Sequence, residues 1–164
     1  SLSMFGVQDQ AKNWCNHNKI IYDYPAMSTI KKVNSKLYSY NLRLLTNTEI
    51  GSKVVYNSDE LIRESLLLLE LSKSIIIKDM FGVSGKGNIL INSETMLKSI
   101  IGYVQKQEKE GKKLEFIIEP YLAKKNDFTC IAHIRPSGKF EILDIQYMIS
   151  NGFAYAGTCI CKTV

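Results

Sequence analysis

Residues Ser74–Asn88 read SIIIKDMFGVSGKGN, which is the most informative stretch of the chain. Its three consecutive isoleucines are typical of a buried strand, which ends at Lys78 and leads directly into a loop with three glycines. An apolar run typical of a strand resumes at Ile89. The pattern therefore predicts two strands joined by a glycine-rich loop, with a lysine at the base of the loop.

Two common phosphate-binding loops do not fit this stretch. A P-loop needs Gly-Lys followed by Ser or Thr at the start of a helix, whereas Gly87 follows Lys86. The dinucleotide fingerprint is G-x-G-x-x-G, whereas Gly82, Gly85 and Gly87 read G-x-x-G-x-G before a strand. The glycines of a strand–loop–strand hairpin can let backbone N–H groups approach an anion closely. The alternative interpretation is a flexible surface hairpin with incidental lysines.

A second stretch, LEFIIEPYL at Leu114–Leu122, is an apolar strand that runs into a short extended linker. Such a linker can bind a flat base through its backbone. The carbonyl of Pro120 can accept from an exocyclic amine, since proline lacks only the N–H group. The N–H of Leu122 can donate to a ring nitrogen, and Asp127 lies far enough along the chain to accept from ribose hydroxyls.

Taken in order, these motifs resemble those of the ATP-grasp ligases. That family has an opening lysine, a strand ending in lysine before a glycine-rich loop, a helix, a strand ending in Glu-x-x-Leu, and a later acidic residue. This sequence has VNSK ending at Lys36, IIIKDMFGVSGKG from Ile75, and IIEPYL from Ile117 with Asp127 behind it. The resemblance covers roughly Val33 to the C-terminus. Asp79 departs from it, because many members have proline there.

The resemblance implies an ATP-dependent carboxylate ligase that works through an acyl phosphate, with an amine or similar nucleophile as acceptor. Lys78 is implied to contact the α and β phosphates with help from Lys36, and the glycine loop to cover the β and γ phosphates. The implied partners are ATP and a small-molecule or peptide carboxylate, and no catalytic residue is indicated. The implied ATP-binding residues are Lys36, Lys78, Gly82, Ser84, Gly85, Lys86, Gly87, Glu119, Pro120, Tyr121, Leu122 and Asp127.

Magnesium ligands are expected outside this chain. The family holds magnesium through a late acidic residue and a Glu-x-Asn motif, and no acidic residue here is followed two positions later by Asn. Glu141 and Asp144 are three residues apart in a predicted strand, so we expect them on opposite faces. We therefore expect the chain to be a fragment that holds no metal and is inactive alone, with the Mg²⁺ ligands downstream.

The predicted fold class is α+β. An ATP-grasp lid subdomain, made of an antiparallel sheet and two helices, precedes the first strands of the second ATP-grasp subdomain. Residues 1–31 are predicted to be the tail of an N-terminal domain with a strand at IIYDYP, residues 32–115 the lid, and residues 116–164 the start of the catalytic subdomain. The predicted strands lie near 52–56, 74–78, 88–91, 114–118, 128–134 and 139–146, and the helices near 32–46, 58–71 and 93–109.

Composition limits the other classes of function. The chain is 45% hydrophobic and 23% charged, which is ordinary for a soluble globular protein. Its net charge of +5 comes from scattered lysines without an arginine-rich stripe, so we expect no nucleic-acid partner. No apolar run reaches the ~20 residues of a membrane span, so we expect no membrane partner.

The four cysteines indicate a cellular compartment but no metal site. Cys15, Cys130, Cys159 and Cys161 show no zinc-binding spacing and indicate a reducing compartment, hence a cytoplasmic location. Two alternatives to the ligase stay open: a non-catalytic nucleotide-binding module of a larger protein, and a basic interaction domain that binds no nucleotide. The sequence does not indicate an oligomeric state.

Overall fold

The computed structural model of the chain describes residues 8–21, 25–82, 87–135 and 137–159. The chain divides into two compact units, Ser1–Ile50 and Gly51–Val164. Within the described ranges, no helix is both long enough and apolar enough to cross a membrane.

The first unit contains three helices: α1 (Asp9–His17), α2 (Met27–Asn34) and α3 (Lys36–Leu45). The predicted single helix from residue 32 to 46 is wrong, because Ser35 is extended and separates two helices. Its hydroxyl accepts a hydrogen bond from the Tyr38 N–H at 3.2 Å and so caps α3. Residues 22–24 of the predicted strand IIYDYP lie outside the described ranges, and Ile20 and Ile21 are not in a strand.

The second unit begins with a four-stranded antiparallel sheet, here called sheet A, and two helices. The spatial order of its strands is β1-β4-β2-β3. This arrangement confirms the predicted antiparallel sheet with two helices, and it confirms that a strand follows the glycine loop. The elements are β1 (Lys53–Val55), α4 (Ser58–Leu71), β2 (Ile75–Asp79), β3 (Asn88–Ile91), α5 (Glu94–Lys109) and β4 (Phe116–Pro120).

Both helices begin at side-chain caps that the sequence indicates. The Asn57 side chain accepts from the Glu60 N–H at 2.8 Å, and the Ser93 hydroxyl accepts from the Met96 N–H at 3.3 Å. Their apolar stripes pack on sheet A, and α4 contacts both α5 and β4. The buried core consists of Val55, Leu61, Leu68, Ile75, Ile77, Ile91, Leu97, Val104, Leu114 and Ile118.

The two buried helix faces differ in part from the expected ones. On α4 the sequence predicts Leu61, Ile62, Leu66 and Leu69, but Leu66 is exposed and Leu68 is buried. On α5 it predicts Met96, Ile100 and Val104, but Met96 is exposed and Leu97 is buried. A run of four leucines contains apolar residues at every helical position, so periodicity alone cannot fix the rotation of α4.

A three-stranded antiparallel sheet, here called sheet B, follows in the order β5-β6-β7. Its strands are β5 (Asp127–Ile134), β6 (Phe140–Asn151) and β7 (Ala154–Cys159). The strands predicted near 128–134 and 139–146 correspond to β5 and β6, which pair as an antiparallel hairpin. Strand β7 was not predicted, although the Asn-Gly pair before it is a strong hairpin signal.

A β-bulge in β6 changes which residues share a face of sheet B. Ile131 pairs with Asp144 but Ala132 pairs with Ile142, so β6 has one extra residue at this point. His133, on the same face as Ile131, pairs with Glu141. Because paired residues share a face, Glu141 and Asp144 lie on the same face, and the prediction of opposite faces is wrong.

The two faces of sheet B differ sharply in polarity. One face, here called the polar face, presents Asp127, Thr129, His133, Glu141, Asp144, Gln146 and Ser150. The opposite face, here called the apolar face, carries seven large side chains that are each more than half exposed: Phe128, Ile134, Phe140, Ile142, Ile145, Tyr147 and Ile149.

Candidate functional site

Strand order and register place three polar side chains side by side on one face of sheet A. Lys78 lies on β2, between Glu119 on β4 and Asn88 on β3. Lys78 pairs with Asn88 across the ladder, and Glu119 pairs with Ile76, two residues before Lys78. These residues therefore share the face of sheet A that is opposite to Ile75 and Ile77, whose side chains belong to the core.

Lys78 and Glu119 form an ion pair that is mostly shielded from water. The Lys78 Nζ donates to Glu119 Oε2, and their side chains are 24% and 5% exposed. The Ser52 hydroxyl donates to Glu119 Oε1 at 3.2 Å. A shielded carboxylate needs such partners, because an unpaired one carries a large desolvation cost. Both members of the ion pair were predicted from the sequence as site residues, whereas Ser52 was not.

The backbone geometry at the end of the glycine loop requires a glycine. Gly87 has φ +77°, and a Cβ there would lie 2.4 Å from Asp79 Oδ2. The Asp79 N–H donates to the Gly87 carbonyl at 2.9 Å, which closes the hairpin at this point. Only glycine fits this position without strain. Gly82 is described, whereas the predicted site residues Ser84, Gly85 and Lys86 lie outside the described ranges.

Pro120 ends β4, and the absence of its N–H group removes no hydrogen bond from sheet A. The Tyr121 N–H donates to the Ser74 carbonyl at 2.9 Å. Because hydrogen-bonded pairs alternate along antiparallel strands, the adjacent pair of Ile75 and Pro120 is a non-hydrogen-bonded one. The Tyr121 N–H group is therefore already hydrogen-bonded within the protein. Leu122 lies beyond β4, and 58% of its surface is exposed.

Asp127 lies at the start of β5 and lines a cavity of about 520 Å³ together with Tyr121, Lys124 and Ser150. Its carboxylate accepts from the Lys124 ammonium and from the Ser150 hydroxyl. The Lys124 hydrogen bond is the main cause that holds the pKa of Asp127 below its usual range. The cavity volume is within the range of sites that bind small molecules. Lys124 and Ser150 were not predicted.

Lys36, the remaining predicted residue, is the first residue of α3 in the first unit. The capping hydroxyl of Ser35 precedes it directly and also donates to the Lys32 carbonyl at 2.7 Å.

The acidic residues of sheet B do not fit a magnesium site. Within the described ranges, no three or more His, Cys, Asp or Glu side chains are grouped where they could hold a metal ion. The bulge brings Glu141 and Asp144 to one face, but Glu141 accepts from Arg135 at 2.8 Å and Asp144 accepts from Gln146 at 2.6 Å. Magnesium prefers several oxygen ligands in octahedral geometry, which these engaged carboxylates do not offer.

Solved structures with the same fold include two enzymes in complex with ADP. N5-carboxyaminoimidazole synthetase from Staphylococcus aureus aligns at 17% identity and a TM-score of 0.59, over 77% of this chain and 32% of that enzyme. N5-carboxyaminoimidazole ribonucleotide synthetase aligns at 16% identity and a TM-score of 0.66, over 95% of this chain and 39% of that enzyme. No family model matches the sequence, and no curated protein matches it.

Both structural neighbours are ATP-grasp ligases, and this chain has the ATP-grasp fold. Its antiparallel sheets and helices match ATP-grasp subdomains, as the resemblance of the motifs predicted. The chain spans between 32% and 39% of the length of these two enzymes.

Proposed function

We propose that this chain is the ATP-binding part of an ATP-dependent carboxylate ligase. In this proposal residues 32–115 form the lid, residues 116–164 begin the catalytic subdomain, and residues 1–31 end a preceding domain. The complete enzyme transfers the γ-phosphoryl group of ATP to a carboxylate, and an amine or similar nucleophile then attacks the acyl phosphate. A cytoplasmic location is part of the proposal, supported by the free, exposed thiol of Cys130.

One observation carries this proposal: the ion pair of Lys78 and Glu119 joins the base of the glycine loop to the start of the linker. Lys78 is the penultimate residue of β2, and Glu119 directly precedes Pro120 at the end of β4. A cation for phosphates and a linker for a flat base are therefore adjacent on one face of sheet A. The ADP complexes of both structural neighbours support a nucleotide as the shared ligand.

Each proposed contact uses a group that is chemically suited to it. Lys78 binds the phosphates, and the loop from Gly82 to Gly87 covers them. The Pro120 carbonyl and the Leu122 N–H bind the adenine edge, beside Glu119 and Tyr121. The Asp127 carboxylate is ionised at neutral pH, and an ionised carboxylate can accept from both ribose hydroxyls.

The chemistry requires positioning and charge neutralisation more than a protein nucleophile. In phosphoryl transfer, negative charge is spread over the oxygens of the transferred group, and cations and backbone N–H groups stabilise it. These donors are stronger in a site from which water is excluded, which a closing glycine loop provides. The Lys78 ammonium and the loop N–H groups are the donors that this chain contributes.

Titration with ATP, followed by NMR, tests the proposal. Partial contacts can give a dissociation constant of about 1 mM, which corresponds to only ~4 kcal/mol. We expect the largest shifts in residues 75–82, 87–88 and 117–127. The double variant Lys78→Met/Glu119→Gln should weaken ATP binding by about tenfold or more, because it removes a charge-assisted contact to phosphate.

The double variant is preferable to Lys78→Met alone, because the single change leaves the buried Glu119 carboxylate unpaired and destabilises the fold. Lys73→Met is the matched control, since Lys73 is an exposed lysine two residues before β2. It should bind ATP as the wild type does. Shifts that avoid the predicted segments, or equal binding by the double variant, would contradict the nucleotide site.

A further inference from the structure

Asn88 is the residue of β3 that lies directly opposite Lys78. The ladder of β2 and β3 pairs the two residues, so their side chains share a face and their Cβ atoms are within about 4.5–5.5 Å of each other. The conformation of the preceding Gly87 and its bond to Asp79 fix the backbone at this point. Asn88 therefore has a defined position beside the Lys78 side chain.

The amide oxygen of Asn88 is buried and has no hydrogen-bond partner in the part of the chain that the structure describes. A buried acceptor without a partner is unfavourable, and native structures contain few of them. An unpartnered acceptor at this place is consistent with a partner that arrives in another state of the site.

Lys78 is the adjacent donor, and it has the capacity to supply that partner. An ammonium group has three N–H donors and no acceptor. In this structure the Lys78 Nζ donates to Glu119 Oε2, on the neighbouring strand β4. Asn88 lies on the other neighbouring strand, β3, directly opposite Lys78, whereas Glu119 lies opposite Ile76, two residues farther from the glycine loop. Lys78 therefore lies between an occupied acceptor and an unoccupied one.

We propose that Asn88 positions Lys78 when a nucleotide phosphate is bound, by accepting a hydrogen bond from its ammonium group. This inference rests on the proposed function, because it needs a phosphate that attracts Nζ towards the glycine loop. Glu119, Asn88 and the phosphate then share the three donors of Lys78. A neutral amide suits this role, since it accepts from the ammonium without repelling the phosphate as a carboxylate would.

Asn88→Leu tests the inference, because leucine has a similar size and lacks the acceptor. The affinities for ATP and for adenosine are both measured by NMR titration. We expect ATP affinity to fall about tenfold, in line with one lost hydrogen bond to a charged group, and adenosine affinity to stay unchanged. Because the variant removes an unpartnered buried acceptor, its melting temperature should stay equal or rise.

Asn92→Leu, at an exposed amide just after β3, is the matched control and should change neither affinity.

Asn88→Asp separates positioning from packing. This variant keeps an acceptor for Lys78 but adds a negative charge beside the phosphate. We expect the ¹⁵Nζ chemical shift of Lys78 in the ATP-bound state to differ from that of the wild type, because a carboxylate replaces the amide as its acceptor, while ATP affinity falls. A merely structural role for Asn88 would leave the ¹⁵Nζ shift of Lys78 unmoved.

The outcomes distinguish this inference from the proposed function. If the wild type binds ATP and Asn88→Leu binds it equally well, the positioning role is overturned and the nucleotide site stands. Equal losses of ATP and adenosine affinity also overturn it, because they indicate a general disturbance of the site. A wild type that binds no ATP overturns both proposals.

Discussion

Glu119 illustrates, at the residue scale, how a carboxylate is retained inside a folded sheet. It is 4% exposed, yet one oxygen accepts from Ser52 and the other from Lys78. Desolvation of an ion costs roughly several kcal/mol in real proteins, so these partners are needed to offset it. Ser52 lies 67 residues away from Glu119 in sequence, and only the pairing of β1 with β4 brings them together.

A prediction at the same scale concerns the pKa of Asp127. Lys124→Ala should raise it towards the ordinary value, because the Lys124 hydrogen bond is the largest cause of its lowering. Since the folded-state pKa lies below the unfolded one, the Lys124 contact stabilises the fold above the unfolded-state pKa. This contribution is lost as the pH falls through the folded-state value. An NMR pH titration of the carboxyl carbon measures the change.

Lys125→Ala is the control for this titration. Lys125 also lines the cavity beside Asp127, but it makes no hydrogen bond to the carboxylate in the described structure. The pKa of Asp127 should stay low in that variant. A low pKa in Lys124→Ala would instead show that another contact, such as that of Ser150, controls the ionisation.

At the scale of the element, the hairpin of β2 and β3 depends on one glycine. Gly87→Ala should destabilise the fold by about 2 kcal/mol or more, because a left-handed conformation costs ~1–2 kcal/mol for alanine and the methyl group would also meet Asp79. Urea unfolding measures the free energy. The expected loss identifies a backbone requirement that is independent of any ligand.

Gly102→Ala is the opposite case and serves as the control. Gly102 lies inside α5, and a Cβ there would meet nothing within 4 Å. Alanine should therefore stabilise the helix by about 0.5–1 kcal/mol. If both glycine variants shifted stability in the same direction, the conformational argument for Gly87 would lose its support.

At the scale of the whole molecule, the apolar face of sheet B presents seven large side chains that are each more than half exposed. Contiguous exposed apolar patches favour association. Ile145 lies in the middle of β6 on this face and is 57% exposed. Ile145→Lys should reduce concentration-dependent self-association, because it places a charge within the patch. Sedimentation velocity over a range of protein concentrations measures the effect.

Ile131→Lys is the matched control for that experiment. Ile131 is also an exposed isoleucine of sheet B, 42% exposed, but its pairing with Asp144 places it on the polar face. The same substitution there should leave self-association nearly unchanged. If both variants reduced self-association equally, net charge and not the apolar face would be the cause.

Much of the fold was predictable because its signals are local. The isoleucine run, the glycine loop and the resumed apolar run identify β2 and β3, and the Asn57 and Ser93 caps mark the starts of α4 and α5. The site was predictable where residue type and spacing carry the signal, as for Lys78 and Glu119. β7 was missed although its hairpin signal is also local.

Features that follow from neighbours along the chain could be predicted from the sequence: the α+β class, the hairpin with a lysine at its base, and the order of motifs that resembles the ATP-grasp ligases. The faces on which side chains lie, and their partners, depend on how the strands pair in the folded chain. The β6 bulge moved Glu141 and Asp144 to one face, and strand order placed Lys78 between Glu119 and Asn88. Strand pairing joins residues that are distant in sequence, and one extra residue reverses the alternation of side chains beyond it.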